Sequence, residues 1–329
     1  MDKSKINAAS IDIYVTYRCN MRCQHCFVGE HLDSARDMPW HSLVKILEAA
    51  HENWATSEIS FLGGEPTLYP GIADALRLAQ DLGYKTRVVT NGGTSARRLI
   101  RMDFPNAVHF AFSLDGSNAA KHDAIRRSGS FHRTLESLAE ARAEGHSRSV
   151  IVSVGRHNLD DAVETIRLAD RCEVDYINVH YVTNRGFATG DMVIDVDSWD
   201  RFYRDLQLAH IPTTIRFERT FIPATNAPHC LAANDAMLMF FPDGRVYTCS
   251  MYFSQIEGHA YFWTNAGLVK NNHFTTRYGR QLAERSHCPA IYFVNQDLID
   301  QAENNNRFVG CIFDKKPIKG LELTEGCPT

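Results

Sequence analysis

The chain lacks any apolar run long enough, about 18 residues, to cross a bilayer as a helix. It also lacks a signal peptide: Met1 to Ser10 is polar, with no basic-then-apolar pattern. An excess of positive charge is missing too. The 35 Lys and Arg stand against 39 Asp and Glu, a net charge of −4, with no basic stripe to grip nucleic acid. No internal repeat or low-complexity segment interrupts the sequence. These absences lead us to expect a cytoplasmic globular protein without a membrane or nucleic-acid partner. Its 329 residues, 44% hydrophobic, suffice for one large core and an appended smaller one.

Cysteine is not scarce. Nine are present, and in a reducing compartment they read as metal ligands or reactive thiols rather than bridges. Cys19, Cys23 and Cys26 are spaced C-x3-C-x2-C, directly after an apolar run, 11–15, that reads as a strand. Three soft thiolates on one short loop suit three corners of a [4Fe–4S] cube, leaving the fourth iron open to a small molecule. A zinc knuckle would need a fourth Cys or His at short spacing. His25 lies between two of the cysteines, where the turn hardly lets it share a metal with both.

Strand-like and helix-like segments alternate as far as about residue 210, which argues for a parallel α/β sheet or barrel. Several expected strands end in chemically distinctive residues. The strand 58–62 runs into Gly63-Gly64-Glu65-Pro66, and 86–90 into Thr90-Asn91-Gly92-Gly93. Strand 108–114 ends in Ser113-Leu114-Asp115-Gly116, followed by His122-Asp123, Arg126 and Gly129-Ser130-Phe131. Strand 150–154 carries Ser153, and 176–182 places Asn178 and His180 on one face. Taken alone, these are turns, caps and satisfied core groups. The glycines would let backbone approach a ligand closely, and Glu65 could accept from an ammonium group.

The three-cysteine loop with Phe27 behind it, then these strand ends in this order, resembles the radical S-adenosylmethionine (SAM) family. That resemblance implies a partial (β/α)6 barrel over 1–210, with a SAM-binding [4Fe–4S] cluster on Cys19, Cys23 and Cys26. SAM would chelate the open iron and be cleaved to a 5′-deoxyadenosyl radical. Gly63, Gly64, Glu65 and Pro66 would hold its amino group, Thr90 and Asn91 would lie by the adenosine, and Phe27 by the loop. Ser113, Asp115, Arg126 and Ser153 would reach its carboxylate or ribose, or a cationic substrate. A flavodoxin- or ferredoxin-type protein would supply the electron.

Past about residue 211 the βα rhythm stops. Residues 237–249 read as a hairpin turning at Asp243-Gly244, and Cys230, Gly244 and Cys249 resemble the opening of the family's twitch/SPASM extension. The expectation is a small α+β twitch-like domain over 211–329 holding a second, auxiliary [4Fe–4S] cluster. Five cysteines are there and a cluster takes four; spacing alone does not say which is spare, and the hairpin pattern makes Cys249 a ligand. Cys172 reads as a buried small residue in a helix.

The whole chain further resembles the radical SAM epimerases of aminoglycoside biosynthesis, which implies conversion of neomycin C to neomycin B. There Cys249 is the thiol returning a hydrogen atom to the substrate radical, and Cys230, Cys288, Cys311 and Cys327 bind the auxiliary cluster. Asp115, Glu218, Asp235 and Glu257 are candidates to meet a polycationic aminoglycoside. The alternatives are peptide modification, disfavoured because no leader-binding domain precedes residue 19, and dehydration or decarboxylation of a sugar or nucleoside, which needs no donor thiol. A two-cluster electron carrier would leave the strand-end motifs unexplained.

Overall fold

The computed structural model describes residues 8–218, 221–223, 230, 237–253, 255, 257–274, 276, 287–288, 296–311 and 315–318. Its strands are β1 (Ser10–Thr16), β2 (Glu58–Gly63), β3 (Lys85–Thr90), β4 (His109–Ser113), β5 (Ser147–Val154), β6 (Tyr176–Tyr181) and β7 (Ile215–Glu218). Then follow β8 (Phe221–Pro223), β9 (Met237–Phe240), β10 (Arg245–Tyr247), β11 (Tyr261–Thr264), β12 (Gly267–Lys270), β13 (Arg307–Val309) and β14 (Lys315–Ile318). β8 and β13 pair with each other, and the remainder form one 12-stranded sheet in the order β12-β11-β10-β9-β1-β2-β3-β4-β5-β6-β7-β14.

From β9 through β1 to β7 every neighbour is parallel, and the antiparallel strands lie outside that run at both edges. Helices fill the crossovers, as parallel strands require. The helix Trp40–Asn53 buries Leu43, Ile46, Leu47 and Ala50, the face its apolar spacing predicts. Gly83, at φ +87°, ends the next helix, Ile72–Asp81, in the left-handed conformation that favours glycine.

Two features depart from the expected layout. The parallel sheet passes the expected boundary at 210 and 211, because β7 pairs with β6. The hairpin of β9 and β10, turning at Gly244 with φ +83°, is attached to the main sheet through β9 and β1. β7 is only four residues long, too short for its alternation to stand out of the sequence.

The faces of the sheet differ in chemistry. Ile11, Ile13 and Val15 of β1 are fully buried in the core, whereas Ser10, Asp12 and Tyr14 line a central cavity of about 670 Å³. Residues of β2, β3, β5, β6, β7 and β9 border the same space, so the sheet curls around it. Burial of the apolar face against helices supplies the stability, roughly 1.5–3 kcal/mol per large side chain. The opposite face, with polar and apolar side chains mixed, lines the cavity.

Candidate functional site

The three-cysteine loop leaves β1 at Thr16 and sits on the C-terminal ends of its neighbours. Gly64 N–H donates to Thr16 O at 2.8 Å and Glu65 N–H to Arg18 O at 2.7 Å. A Cβ on Gly64 would stand 2.5 Å from Arg18 O, and one on Gly63 2.5 Å from Thr16 O. The glycine pair therefore seats the loop itself, a closer demand than the ligand approach read from the sequence. Asn91 Nδ2 donates to Asn20 Oδ1 at 2.8 Å, Gln24 N–H to Ile125 O at 3.0 Å, and Phe187 N–H to Cys26 O at 2.9 Å. Beside that last bond, a Cβ on Gly186 would fall 2.0 Å from Cys26 O.

The thiols of Cys19, Cys23 and Cys26 are half-buried on this loop. Met21 N–H points at Cys19 Sγ (3.4 Å) and Arg126 Nη1 at Cys23 Sγ (3.8 Å). Burial pushes the Cys19 thiol up to about 12 and raises Cys23 as well, so ligation would displace protons. Among the described residues no three His, Cys, Asp or Glu side chains converge on a single metal ion. A cube assigns each cysteine a separate iron, so three thiols spread along a loop, with donors aimed at two of the sulfurs, fit the cluster chemistry.

Glu65 is fully buried and already engaged. Its Oε1 accepts from Thr67 N–H and Oγ1 and from Thr90 Oγ1, and its Oε2 from Asn91 N–H at 2.8 Å. Burial raises its pKa despite these donors. It ties the end of β2 to the end of β3, while Pro66 opens the short turn Pro66–Leu68. An ammonium group would be a further donor to Oε2, which takes one protein bond.

Asp115 is a hub. Arg126 Nε donates to its Oδ2, His25 Nε2 lies 3.3 Å from the same oxygen, and Ser153 N–H donates to Oδ1 at 2.8 Å. Burial alone would raise this carboxyl, but Arg126, then His25 and His122, hold it down at about 2. Asp115 and Arg126 thus meet each other, one fully buried and the other nearly so, with the Arg126 fork also reaching Cys23. Ser113 ends β4 half-buried, in register with Ile151. The His122-Asp123…Gly129-Ser130-Phe131 stretch is local architecture: His122 Nδ1 accepts from Asp115 N–H, and Asp123 accepts from Gly129, Ser130 and Phe131 at the start of the helix Ser130–Ala143.

The cavity opens beside this loop. His25, Phe27 and Ser153 border it, with Asp12, Glu58 and Glu218 as its carboxylates and Ser250 and Met251 on another side. Asn178 and His180 both line it, and His180 Nδ1 lies 3.3 Å from Glu218 Oε1. Asp12 and Glu58 were not singled out in the sequence, though each falls on the alternate positions that Ser10 and Ser60 share. His157, whose ring stacks on His25 at 5.6 Å with both nitrogens lacking a partner, was also missed. Glu257 faces His273 at 3.8 Å and does not border the cavity; Asp235 lies outside the described residues.

Cys249 is buried immediately before Ser250 and Met251. Burial, and then Cys288, Cys311 and Cys230 nearby, push its thiol well above the usual range. Cys230 and Cys311 are half-buried and Cys288 is buried; Cys327 lies outside the described residues. Cys172 caps the helix Ala162–Arg171 from its C-terminal end, half-buried.

A family model described as the radical SAM superfamily matches residues 13–169. The chain is 26% identical over 249 residues to the PqqA peptide cyclase of Ruegeria pomeroyi, covering 71% of this chain and 66% of that protein. It is 23% identical over 277 residues to the AdoMet-dependent heme synthase of Nitratidesulfovibrio vulgaris, covering 79% and 76%. Among solved structures, Streptococcus suis SuiB bound to precursor peptide SuiA aligns with a TM-score of 0.62 at 15% identity, covering 76% of this chain and 61% of that one. Native anSMEcpe with bound AdoMet gives 0.58 at 16%, covering 88% and 84%. The chain thus spans about two thirds of the length of the cyclase and of SuiB. None of these relatives is named as an aminoglycoside enzyme. The match over residues 13–169 and the three-cysteine loop at the end of β1 make this part of the chain similar to the radical SAM superfamily, and the solved structures share its α/β fold.

Proposed function

We propose that the chain is a radical SAM epimerase that inverts one sugar carbon of a polycationic aminoglycoside, neomycin C being the expected substrate. When bound, a [4Fe–4S] cluster on Cys19, Cys23 and Cys26 with SAM would supply the 5′-deoxyadenosyl radical that takes a hydrogen atom from a substrate C–H bond. The protein's part is to hold that loop, shape the cavity and decide the fate of the substrate radical. Asp12, Glu58 and Glu218 would meet ammonium groups in a cavity of ordinary ligand size, about 670 Å³, whose lining also carries Arg87, Arg185 and Arg216. Phe27 and Ser153 border it, and on this reading they would lie beside bound SAM.

The observation that carries the reading is the position of Cys249. It is buried one residue before the cavity wall, and its raised pKa keeps the S–H bond intact at neutral pH. An S–H bond is weaker than C–H, so its hydrogen atom passes downhill to a carbon radical. Delivery to the opposite face inverts the carbon. The thiyl left on Cys249 then needs one electron, which a flavodoxin- or ferredoxin-type donor would supply, and one proton from solvent; Cys230, Cys288, Cys311 and Cys327 would hold an auxiliary cluster able to supply electron-transfer chemistry.

A second reading, modification of a ribosomal peptide, has its own support. The relatives named above include a peptide cyclase and a structure holding a precursor peptide. Cys249 also lies within electrostatic range of Cys230, Cys288 and Cys311, so these four would equally suit an auxiliary cluster. On that reading Cys249 is a ligand.

Turnover of neomycin C in D2O on anaerobically reconstituted protein separates the two. Epimerisation predicts one deuterium in the isomerised product, and a Cys249→Ala variant that still makes 5′-deoxyadenosine without isomerising. An unchanged substrate, or a Cys249→Ala protein short of about four irons, moves Cys249 to the ligand set and favours the peptide.

A further inference from the structure

We propose that the N-terminal end of the sheet carries a second binding site, for a phosphate group, either free or as the ester of a small molecule. A cavity of about 540 Å³ lies there, bordered by Glu58, Lys85, Arg87, His109, Tyr176 and Arg216. Glu58, Lys85, His109 and Tyr176 are the first residues of β2, β3, β4 and β6, at the strand ends remote from the cysteine loop. Of the residues bordering it, Lys85, Arg87 and Arg216 are cationic and only Glu58 is acidic.

The two guanidinium groups are placed but not neutralised. Arg216 lies flat on Tyr176, its central carbon 3.6 Å from the ring centroid, which fixes the plane of the fork and leaves its N–H edge available. Tyr176 is in turn stacked on His109 at 5.2 Å, and His109 is tied to Ser147 (2.9 Å) and Ser149 (2.8 Å). Arg87 Nε is buried without a hydrogen-bond partner. Among the described residues neither arginine forms an ion pair. Burial, and then the charges of Arg87 and Arg216, hold His109 far down at about 4, so it stays neutral and adds no charge.

Arg216 is exposed and Arg87 half-buried, so the cost of an unsatisfied donor falls on the buried Arg87 Nε, and an anion held beside it would offset that cost. Guanidinium groups bind phosphate oxygens two at a time, which suits a tetrahedral oxyanion better than chloride. The space exceeds one phosphate and leaves room for a small ester group. Glu58, Arg87 and Arg216 also border the larger cavity, but Lys85, His109 and Tyr176 border this one alone of the two.

The test is calorimetric titration of the anaerobically reconstituted full chain with inorganic phosphate, and separately with glycerol 3-phosphate, at ionic strength held constant with chloride. One saturable site is expected, weakened at least about tenfold by Arg87→Gln and by Arg216→Gln, since each removes charge-assisted hydrogen bonds. Lys85→Gln, at the exposed mouth where refolding is not at stake, should weaken binding several-fold. Tighter binding of the ester identifies an esterified ligand, and equal or weaker binding identifies free phosphate. No heat beyond the chloride control overturns the proposal, as does unchanged affinity in all three variants.

Discussion

Replacing Arg126 with Ala should do more damage than removing any surface arginine. Asp115 is fully buried, and its carboxyl is held at about 2 against 3.8 for the free side chain. That difference corresponds to roughly 2 kcal/mol of stabilisation. Because the folded value is the lower one, the contribution is complete above about pH 4 and is lost as pH falls from there towards 2. Arg126→Ala removes the largest opposing cation and leaves a carboxylate with no water around it. Breaking a buried pair in this way costs roughly 3–5 kcal/mol. With burial then dominant, the Asp115 carboxyl rises instead of falling, so on going from pH 7 to pH 5 the variant gains stability relative to wild type, while His109 and the other buried neutral histidines cost both proteins alike. Urea unfolding of both proteins at the two pH values measures this. The double variant Asp115→Asn with Arg126→Met should recover part of the loss, since it buries no charge. A loss under about 1 kcal/mol at pH 7, with an unaltered pH profile, would refute the reasoning.

Gly186→Ala would drive a methyl group to 2.0 Å from Cys26 O. The expected result is a folded protein by circular dichroism that takes up less iron on reconstitution. Gly64→Ala, crowding Arg18 O at 2.5 Å, should do the same from the other side of the loop. Glu65→Gln replaces an acceptor-only group that takes four donors, so one of the Thr67, Thr90 or Asn91 donors is left facing an amide N–H. It should cost roughly 1–3 kcal/mol in chemical unfolding even without SAM. Both glycine variants should leave phosphate binding at the far end of the sheet unchanged.

The βα alternation was legible because long periodic segments announce themselves: the apolar face of Trp40–Asn53 and the hairpin at Gly244 are where their patterns put them. The joining of β9 to β1 was not legible, since pairing over more than two hundred residues leaves no local mark. The cysteine loop and strand-end motifs were visible as residues, but their partners were not. Nothing in the spacing says that Glu65 spends its carboxylate on Thr90 and Asn91, or that Asp115, Arg126 and His25 meet. His25 entered the sequence only as a poor zinc ligand, and its neighbour His157 had no pattern around it. Those contacts depend on how far each strand end projects, which the tertiary packing decides. Asp12 and Glu58 could have been found by asking which polar residues share the inward alternation of a strand.

The most direct test of the cysteine loop's role is 5′-deoxyadenosine formation from SAM with dithionite on anaerobically reconstituted protein, comparing wild type with Cys23→Ala. Wild type should release 5′-deoxyadenosine and methionine in equal amounts, and Cys23→Ala neither, with the fold unchanged by circular dichroism. A wild-type protein that binds its iron but leaves SAM intact, or a Cys23→Ala variant as active as wild type, would contradict radical SAM chemistry at Cys19, Cys23 and Cys26.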